Sequence, residues 1–226
     1  MQIDFFKVED WMNEYEKYSK YDLGNTTVNT MSLEELFELS GENKENFLNS
    51  LCALKQGYGF IKGNPELKKG IAKLYKTIEE GHILTTIGAA GANHLVFYSL
   101  VEPSDRVISL IPTYQQLYSI PASFCSDAVV LKLKKENGFL PDLDELKNLI
   151  TPNTKLICIN NPNNPTGGIM SNEDLEAIAE VLRGTNIMVL SDEIYAELRY
   201  DGEKHIPFSN FEGMKERTVV VSGFSK

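Results

Sequence analysis

The chain has 226 residues, of which 42% are hydrophobic and 24% are charged, and its net charge is −10. This composition is typical of a globular protein with one or two domains and a sizeable core. The negative charge argues against nucleic acid or an anionic membrane as the main partner, because the protein's field repels polyanions. No apolar stretch approaches the roughly 20 residues that span a bilayer, and the acidic N-terminal stretch does not resemble a signal peptide.

The three cysteines, Cys52, Cys125 and Cys158, are far apart and odd in number. Their spacing argues against a disulfide framework and against a zinc site. We therefore expect them to be small buried side chains in a protein of the reducing cytoplasm, and we expect no bound metal.

The first third of the chain predicts short helices. One is expected around residues 11–18. Ser32 and Glu35 form a capping box that opens a second helix, and Asn64 followed by Pro65 opens a third. The third helix carries apolar side chains at helical spacing on one face: Leu67, Ile71, Leu74 and Ile78.

From residue 82 onward, short apolar runs alternate with helical patterns. Strands are predicted for HILTTI, RVISLI, AVVLKL, KLICIN, IMVLS and TVVVS, at residues 82–87, 106–111, 128–133, 155–160, 187–191 and 218–222. Helices are predicted for HLVFYSLV, YQQLYSIPASF, LDELKNLI and the segment capped by Ser171 and Asp174, which runs to Leu182 and stops at Gly184. This order predicts an α/β fold, a three-layer α/β/α domain with a mostly parallel mixed sheet.

In such sheets the ligand site lies at the carboxyl ends of the strands. The first strand is followed by GAAGAN, whose backbone amides could hold a phosphate at a helix N-terminus; a plain tight turn is the alternative. The second is followed by Tyr114, which could lie flat on a planar ligand or be a core side chain. NNPNNPTGG follows KLICIN, and its prolines and amides indicate a rigid polar loop rather than a simple multiple turn.

The last two strands are followed by charged residues. Asp192 follows IMVLS, with Tyr195 three residues on, and a carboxylate there needs a cationic partner or several donors. Lys226 follows TVVVS and the residues GFS. The structural alternative for Asp192 is a strand-end cap, and the alternative for Lys226 is a frayed terminus. Together the strand ends suit pyridoxal phosphate, whose aldehyde takes a lysine amine and whose ring nitrogen pairs with a carboxylate.

The motifs NNPNNPTGG, SDEIY and SGFSK, in this order and together with GAAGAN and PTY, resemble the signature of class I/II aminotransferases, a family of fold type I pyridoxal-phosphate enzymes. The similarity runs from about Tyr58 to Lys226. It implies the type I transferase fold, with residues 1–50 as an N-terminal arm and part of a small domain. Residues 51–226 would then form a cofactor-binding large domain that is incomplete at its C-terminal end. We accordingly expect a longer enzyme, whose remainder carries most of the small domain and two ligand-binding arginines.

The resemblance also implies a role for each matching residue. Lys226 is expected to be the Schiff-base lysine that also moves the substrate proton. Asp192 is expected to pair with the pyridinium nitrogen, while Tyr195 and Asn164 hydrogen-bond the ring oxygen. Tyr114 is expected to stack on the ring.

The remaining implied contacts concern the phosphate. Ala89 and Ala90 offer backbone amides, and Tyr58, in QGYGFIKGNPEL, resembles the tyrosine that reaches the neighbouring subunit's phosphate in a homodimer. Gly223 departs from the pattern, because many relatives have a phosphate-contacting serine there; Ser222 or Ser225 could take that role. The stretch DLGNTTVN, residues 22–29, could correspond to the family's glycine-rich substrate-binding segment.

The expected activity is transfer of an amino group between an L-amino acid and a 2-oxo acid by a ping-pong Schiff-base mechanism. A carbon–sulfur lyase on the same scaffold would use the same residues, and a non-catalytic cofactor-binding fragment is a third reading. The expected partners are small-molecule substrates and a second copy of the chain, with no nucleic acid and no membrane.

Overall fold

The computed structural model describes residues 3–226. The α-helices are α1 (Lys7–Tyr15), α2 (Leu33–Ser40), α3 (Lys44–Ala53), α4 (Pro65–Ala72), α5 (Gly88–Leu100), α6 (Gln116–Phe124), α7 (Leu143–Leu149) and α8 (Asn172–Leu182). The strands are β1 (Arg106–Ile111), β2 (Asp127–Lys132), β3 (Thr154–Asn160), β4 (Met188–Asp192) and β5 (Thr218–Val221). Single turns of 3-10 helix lie at Glu16–Tyr18, Glu80–His82, Lys135–Asn137, Phe208–Asn210 and Lys215–Arg217.

The five strands form one sheet in the order β2-β1-β3-β4-β5, and every neighbouring pair is parallel. Parallel strands need helical crossovers, and these cover both faces of the sheet. The order reverses after β2, so β1 and β3 are neighbours although β2 separates them in the chain. A crevice at the carboxyl ends of the strands is expected at such a reversal.

Two apolar clusters hold the three layers together. On one face, β1, β3 and β4 pack against α7 and α8 through side chains such as Ile157, Val189 and Ile178. On the other face, the alternate residues of the same strands, among them Leu156 and Leu190, pack against α5 and α6. Successive side chains of a strand point to opposite faces, so continuous apolar runs are what a doubly covered sheet requires.

The buried residues of the described chain lie between Asn93 and Val221. Helices α1 to α4 contain no buried residue. The division into an N-terminal arm at residues 1–50 and a large domain at residues 51–226 stays a prediction. Among residues 3–226, no helix is both long enough and apolar enough to span a membrane.

The strands predicted from residue 106 onward are all confirmed, as are the helices between them. Both predicted capping boxes are present, at Ser32 with Glu35 and at Ser171 with Asp174. Helix α3, which Asn43 caps by accepting from the backbone N–H of Asn46 at 2.8 Å, was not predicted.

Three local predictions are wrong. Residues 82–87 do not form a strand. Ile83 has extended backbone angles, but no strand of residues 3–226 pairs with this segment. An apolar run predicts a strand only where a neighbouring strand is there to hydrogen-bond with it. The helix predicted for HLVFYSLV begins earlier, because α5 already starts at Gly88 and includes GAAGAN. Helix α4 ends at Ala72, two residues after Gly70, a weak helix former, so Leu74 and Ile78 lie beyond it.

The cysteines divide into two groups. Cys125 and Cys158 are buried in the apolar cluster beside α5 and α6, as predicted, whereas Cys52 is exposed on α3. All three are free thiols. Burial raises the pKa of the Cys158 thiol, which therefore behaves as an apolar core residue rather than as a nucleophile.

Adjacent residues of β2 provide a test of this packing. Leu131 is 0% exposed and Val130 is 39% exposed. We expect Leu131→Ala to lower the free energy of unfolding by about 2–5 kcal/mol, because it leaves a cavity in the core. Val130→Ala is the matched control and should cost less than about 1 kcal/mol. Urea unfolding measures both, and equal losses would contradict the packing described here.

Candidate active site

The strand register brings three chain segments to one edge of the sheet. Asn160 at the end of β3 is paired with Asp192 at the end of β4, and Asp192 is paired with Val221 at the end of β5. The loops after these strands therefore start side by side. The predicted residues Asn164, Tyr195 and Lys226 lie on those loops.

Asp192 is a buried carboxylate with few donors. Its side chain is 3% exposed; Oδ2 accepts from Asn93 Nδ2 at 3.1 Å and Oδ1 from the Ile194 backbone N–H at 3.3 Å. No basic side chain of residues 3–226 forms an ion pair with it. Burial raises its pKa, while Asn93 and, more weakly, Lys226 act in the opposite direction. A buried acid with this environment is suited to receive a cationic group.

A chain of hydrogen bonds joins the neighbouring loop to Tyr195. Asn160 Nδ2 donates to the backbone oxygen of Asp192 at 2.9 Å, and Asn160 Oδ1 accepts from the Asn164 backbone N–H at 2.7 Å. Asn164 Nδ2 in turn donates to the Tyr195 hydroxyl at 3.0 Å. Asn164 and Tyr195, predicted to share one ligand atom, are thus in direct contact.

Lys226 lies on the same side of the site as Tyr195. Its Nζ is 5.8 Å from the centroid of the Tyr195 ring, within the range of a cation–π contact. The amine therefore lies close to the Asn164–Tyr195 pair.

Tyr114, in the loop after β1, is held by the N-terminal segment. Its hydroxyl donates to Glu9 Oε1 at 3.0 Å, and the Phe6 ring meets its ring edge-on at 5.0 Å. Burial, followed by the charge of Glu9, raises the pKa of the Tyr114 hydroxyl, with smaller contributions from Tyr195 and Asp192. Tyr114 is thus a half-buried neutral phenol whose pKa the charges of the other site residues also raise.

Ala89 and Ala90 belong to the first turn of α5. Ile87 precedes the helix and provides no side-chain cap, so the first backbone N–H groups of α5 have no partner of that kind. Ala90 lines an open depression of about 560 Å³ beside this helix end. Small side chains and uncapped N–H groups are what an anion-binding helix end requires.

Glu193, directly after Asp192, points to the opposite face of the sheet. It is 2% exposed, and its Oε1 accepts from the Ser191 hydroxyl at 2.7 Å and from the Phe208 backbone N–H at 2.9 Å. Its Oε2 lies 2.8 Å from His205 Nε2. Glu193 therefore has a full set of protein partners, whereas Asp192 does not.

Tyr58 is not brought to the site within one chain. Its side chain is fully exposed and contacts none of the predicted site residues in the described part of the chain. Gly223 lies against Ile194, because a Cβ added there would come within 3.3 Å of Ile194 Cδ1. Ser222 is exposed directly after β5.

Sequence reasoning missed Asn93 and Glu9 as site residues, and it singled out Thr26 only as a member of the stretch at residues 22–29. Asn93 could have been found, because it lies three and four residues before Val96 and Phe97, on the buried face of α5. The contacts of Glu9 with Tyr114 and of Thr26 with Tyr195 could not be predicted, because each joins residues more than a hundred positions apart. Within residues 3–226, no group of three metal-ligating side chains is gathered at this site or elsewhere.

Known proteins provide an independent comparison. A family model described as aminotransferase class I and II matches residues 29–226. The aspartate aminotransferase of Pyrococcus abyssi is 33% identical over 228 residues, covering 96% of this chain and 58% of that protein. A Mycobacterium tuberculosis protein named probable N-succinyldiaminopimelate aminotransferase is 36% identical over 148 residues, covering 65% of this chain and 37% of that protein.

A solved structure agrees with these matches. The crystal structure of a pyridoxal-phosphate-dependent aminotransferase from Streptococcus suis is 45% identical to the chain and superposes with a TM-score of 0.92. It is matched over 100% of this chain and 59% of its own length. The chain thus spans about half the length of the relatives it matches.

The burial of Asp192 has a measurable pH signature. Because its pKa is raised in the fold, its stability contribution is greatest below the ordinary aspartate pKa and falls as pH rises toward the raised pKa. In the ligand-free protein, Asp192→Asn should therefore gain stability relative to wild type as pH rises. Urea unfolding between about pH 3 and pH 7 measures this trend.

Asp201→Asn is the control with the opposite sign. The Arg199 hydrogen bond lowers the pKa of Asp201, so this contribution is present at neutral pH and lost in acid. The Asp201 variant should be less stable than wild type near neutrality and should match it in acid. If Asp192→Asn followed the same trend as Asp201→Asn, burial would not destabilise the charged form of Asp192.

Proposed function

Because the chain belongs to the class I and II aminotransferase family, we propose that the whole protein is a pyridoxal-phosphate-dependent aminotransferase acting on an L-amino acid and a 2-oxo acid. One observation carries this proposal. The buried carboxylate of Asp192, the hydroxyl of Tyr195 and the amine of Lys226 meet at one sheet edge, on the motifs of the family.

The residues present fit this cofactor. Asp192 is buried without an ion-pair partner among residues 3–226, which suits a protonated ring nitrogen. The first turn of α5, with Ala89 and Ala90, suits a phosphate because its N–H groups lack a side-chain cap. The Lys226 amine, on the loop after β5, suits an aldehyde.

Pyridoxal phosphate, when bound, supplies an aldehyde for amino groups and a ring that accepts electrons from the substrate carbon. Lys226 would hold it covalently and, once displaced by substrate, move a proton at the substrate carbon. Asp192 would keep the ring nitrogen protonated. Asn164 and Tyr195 would bind the ring oxygen, and Tyr114 would lie against the ring, held there by Glu9.

Two other readings of the sequence are not favoured. A carbon–sulfur lyase would use the same residues, but the relatives reported above are named aminotransferases. A non-catalytic fragment would bind the cofactor without turnover, and an assay of the whole protein for amino-group transfer distinguishes the two. The homodimer and the cytoplasmic location also belong to the proposal.

The covalent attachment is the first test. Borohydride reduction of the whole protein with its cofactor, followed by peptide mapping, should place the adduct on Lys226. Lys226→Ala should abolish the adduct and lower amino-group transfer on the order of 10³-fold or more, because a covalent and proton-moving group is lost. Lys132→Ala, at the end of β2 on the same sheet edge, should change neither result. An adduct on another lysine would refute the proposed site.

The homodimer is tested by subunit mixing. If Tyr58 serves the partner's site, a hybrid of one Tyr58→Ala subunit and one Lys226→Ala subunit contains one complete site and one doubly defective site. We therefore expect the mixture to regain activity, up to about half of wild type per hybrid dimer, although each parent variant is impaired.

Two matched measurements accompany this mixture. Hybrids of wild-type and Lys226→Ala subunits provide the reference activity of a dimer with one complete site. If Tyr58 acted within its own chain, the mixed variants would show no recovery above the sum of the parents, and the intersubunit role would be excluded.

A further inference from the structure

The hydroxyl of Tyr195 has two protein partners. Asn164 Nδ2 lies 3.0 Å from it, and the hydroxyl oxygen of Thr26 also lies 3.0 Å from it. Thr26 comes from the N-terminal segment, 169 positions away in the chain. A contact this distant in sequence brings the N-terminal segment directly onto a proposed site residue.

The donors can be assigned from the chemistry of the groups. An amide nitrogen only donates, so the Tyr195 oxygen accepts from Asn164. A phenol has a single proton, whereas Thr26 and Tyr195 can each donate to the other. If the Tyr195 proton is given to a ligand oxygen, Thr26 must be the donor in its bond with Tyr195. Both protein partners then donate to the same phenolic oxygen.

The turn that carries Thr26 is shaped by two side chains. Asp22 Oδ1 accepts from the backbone N–H of Asn25 at 3.1 Å, and Asn25 Oδ1 accepts from the Thr27 backbone N–H at 2.9 Å. The Thr27 hydroxyl also donates to Asn25 Oδ1, at 2.7 Å. Of the two adjacent threonines, Thr27 thus bonds within the turn, and Thr26 bonds to Tyr195.

We infer that Thr26 is a positioning residue for Tyr195, whose hydroxyl it orients and polarises toward the ring oxygen of the cofactor. The inference rests on the proposed function. Two donors on a phenolic oxygen strengthen the bond that its own proton makes, because linked hydrogen bonds polarise one another. A stronger bond to the ring oxygen favours the anionic form of that oxygen. Thr26 therefore influences the protonation of the bound cofactor without touching it.

The test is a pH titration of the absorbance of the bound cofactor in the holoenzyme. The midpoint is the pH at which half of the bound cofactor is protonated. Loss of the hydroxyl in Thr26→Val should raise this midpoint by about 0.3–0.8 pH units, the effect of weakening one hydrogen bond. Thr26→Ser keeps a hydroxyl at this position and should return the midpoint to the wild-type value. If the valine variant does not fold, Thr26→Ala provides the same deletion with less bulk.

Thr27→Val is the matched control, because it removes a neighbouring hydroxyl that bonds only within the turn. It should leave the midpoint unchanged even if the thermal stability falls. Equal shifts in the two valine variants would mean that only the shape of the turn matters, and the inference would be overturned.

A double variant separates this inference from the proposed function. Tyr195→Phe should itself raise the midpoint, and adding Thr26→Val should then have no further effect. An additional shift in the double variant would overturn the role of Thr26. If Tyr195→Phe changed the midpoint but Thr26→Val did not, only the inference would fail. No change in Tyr195→Phe would remove the proposed role of Tyr195, and the inference with it.

Discussion

The structure of the site depends on a carboxylate buried at the end of a central strand. Asp192 lies deep enough that its charge is costly, and the described chain offers it only an amide from Asn93 and a backbone N–H. This shortage of donors is the feature on which the proposed cofactor depends, because its protonated ring nitrogen would supply the cationic partner that the described chain lacks. Helix α5, which packs on the sheet through Val96 and Phe97, brings Asn93 to this carboxylate. The hydrogen bond from Asn93 thus links the helix that carries Ala89 and Ala90 to the buried acid.

The parallel sheet could be predicted because its strands are buried on both faces. A run such as RVISLI or KLICIN must be apolar throughout to satisfy two helical layers, and that pattern is visible in the sequence. Residues 82–87 have similar composition but no paired strand in the described chain, and pairing is not encoded locally. Helix α3 was missed for the opposite reason, because its exposed faces give only a weak apolar pattern.

The part of the site that could be predicted consists of residues that directly follow a predicted strand. Asn164, Asp192 and Lys226 stand at fixed places in motifs, and parallel topology then brings them together. The contacts of Glu9 and Thr26 with their tyrosines could not be predicted, because residues more than a hundred positions apart in the chain make them. Nothing in the local sequence distinguishes Thr26 from Thr27; only the direction of each hydroxyl does so.

The adjacent acids Asp192 and Glu193 illustrate what the pleat of the sheet achieves. Glu193 is hydrogen-bonded by Ser191, Phe208 and His205 on one side of the sheet, and Asp192 has only two donors on the other. The strand thereby separates a carboxylate with a full set of partners from one with few donors, although they are neighbours in the chain. A single inserted or deleted residue in β4 would move Asp192 and Glu193 to the opposite faces of the sheet. Most point substitutions would disturb the contacts on one face only. In evolution, this strand should therefore tolerate changes of side chain far better than changes of length.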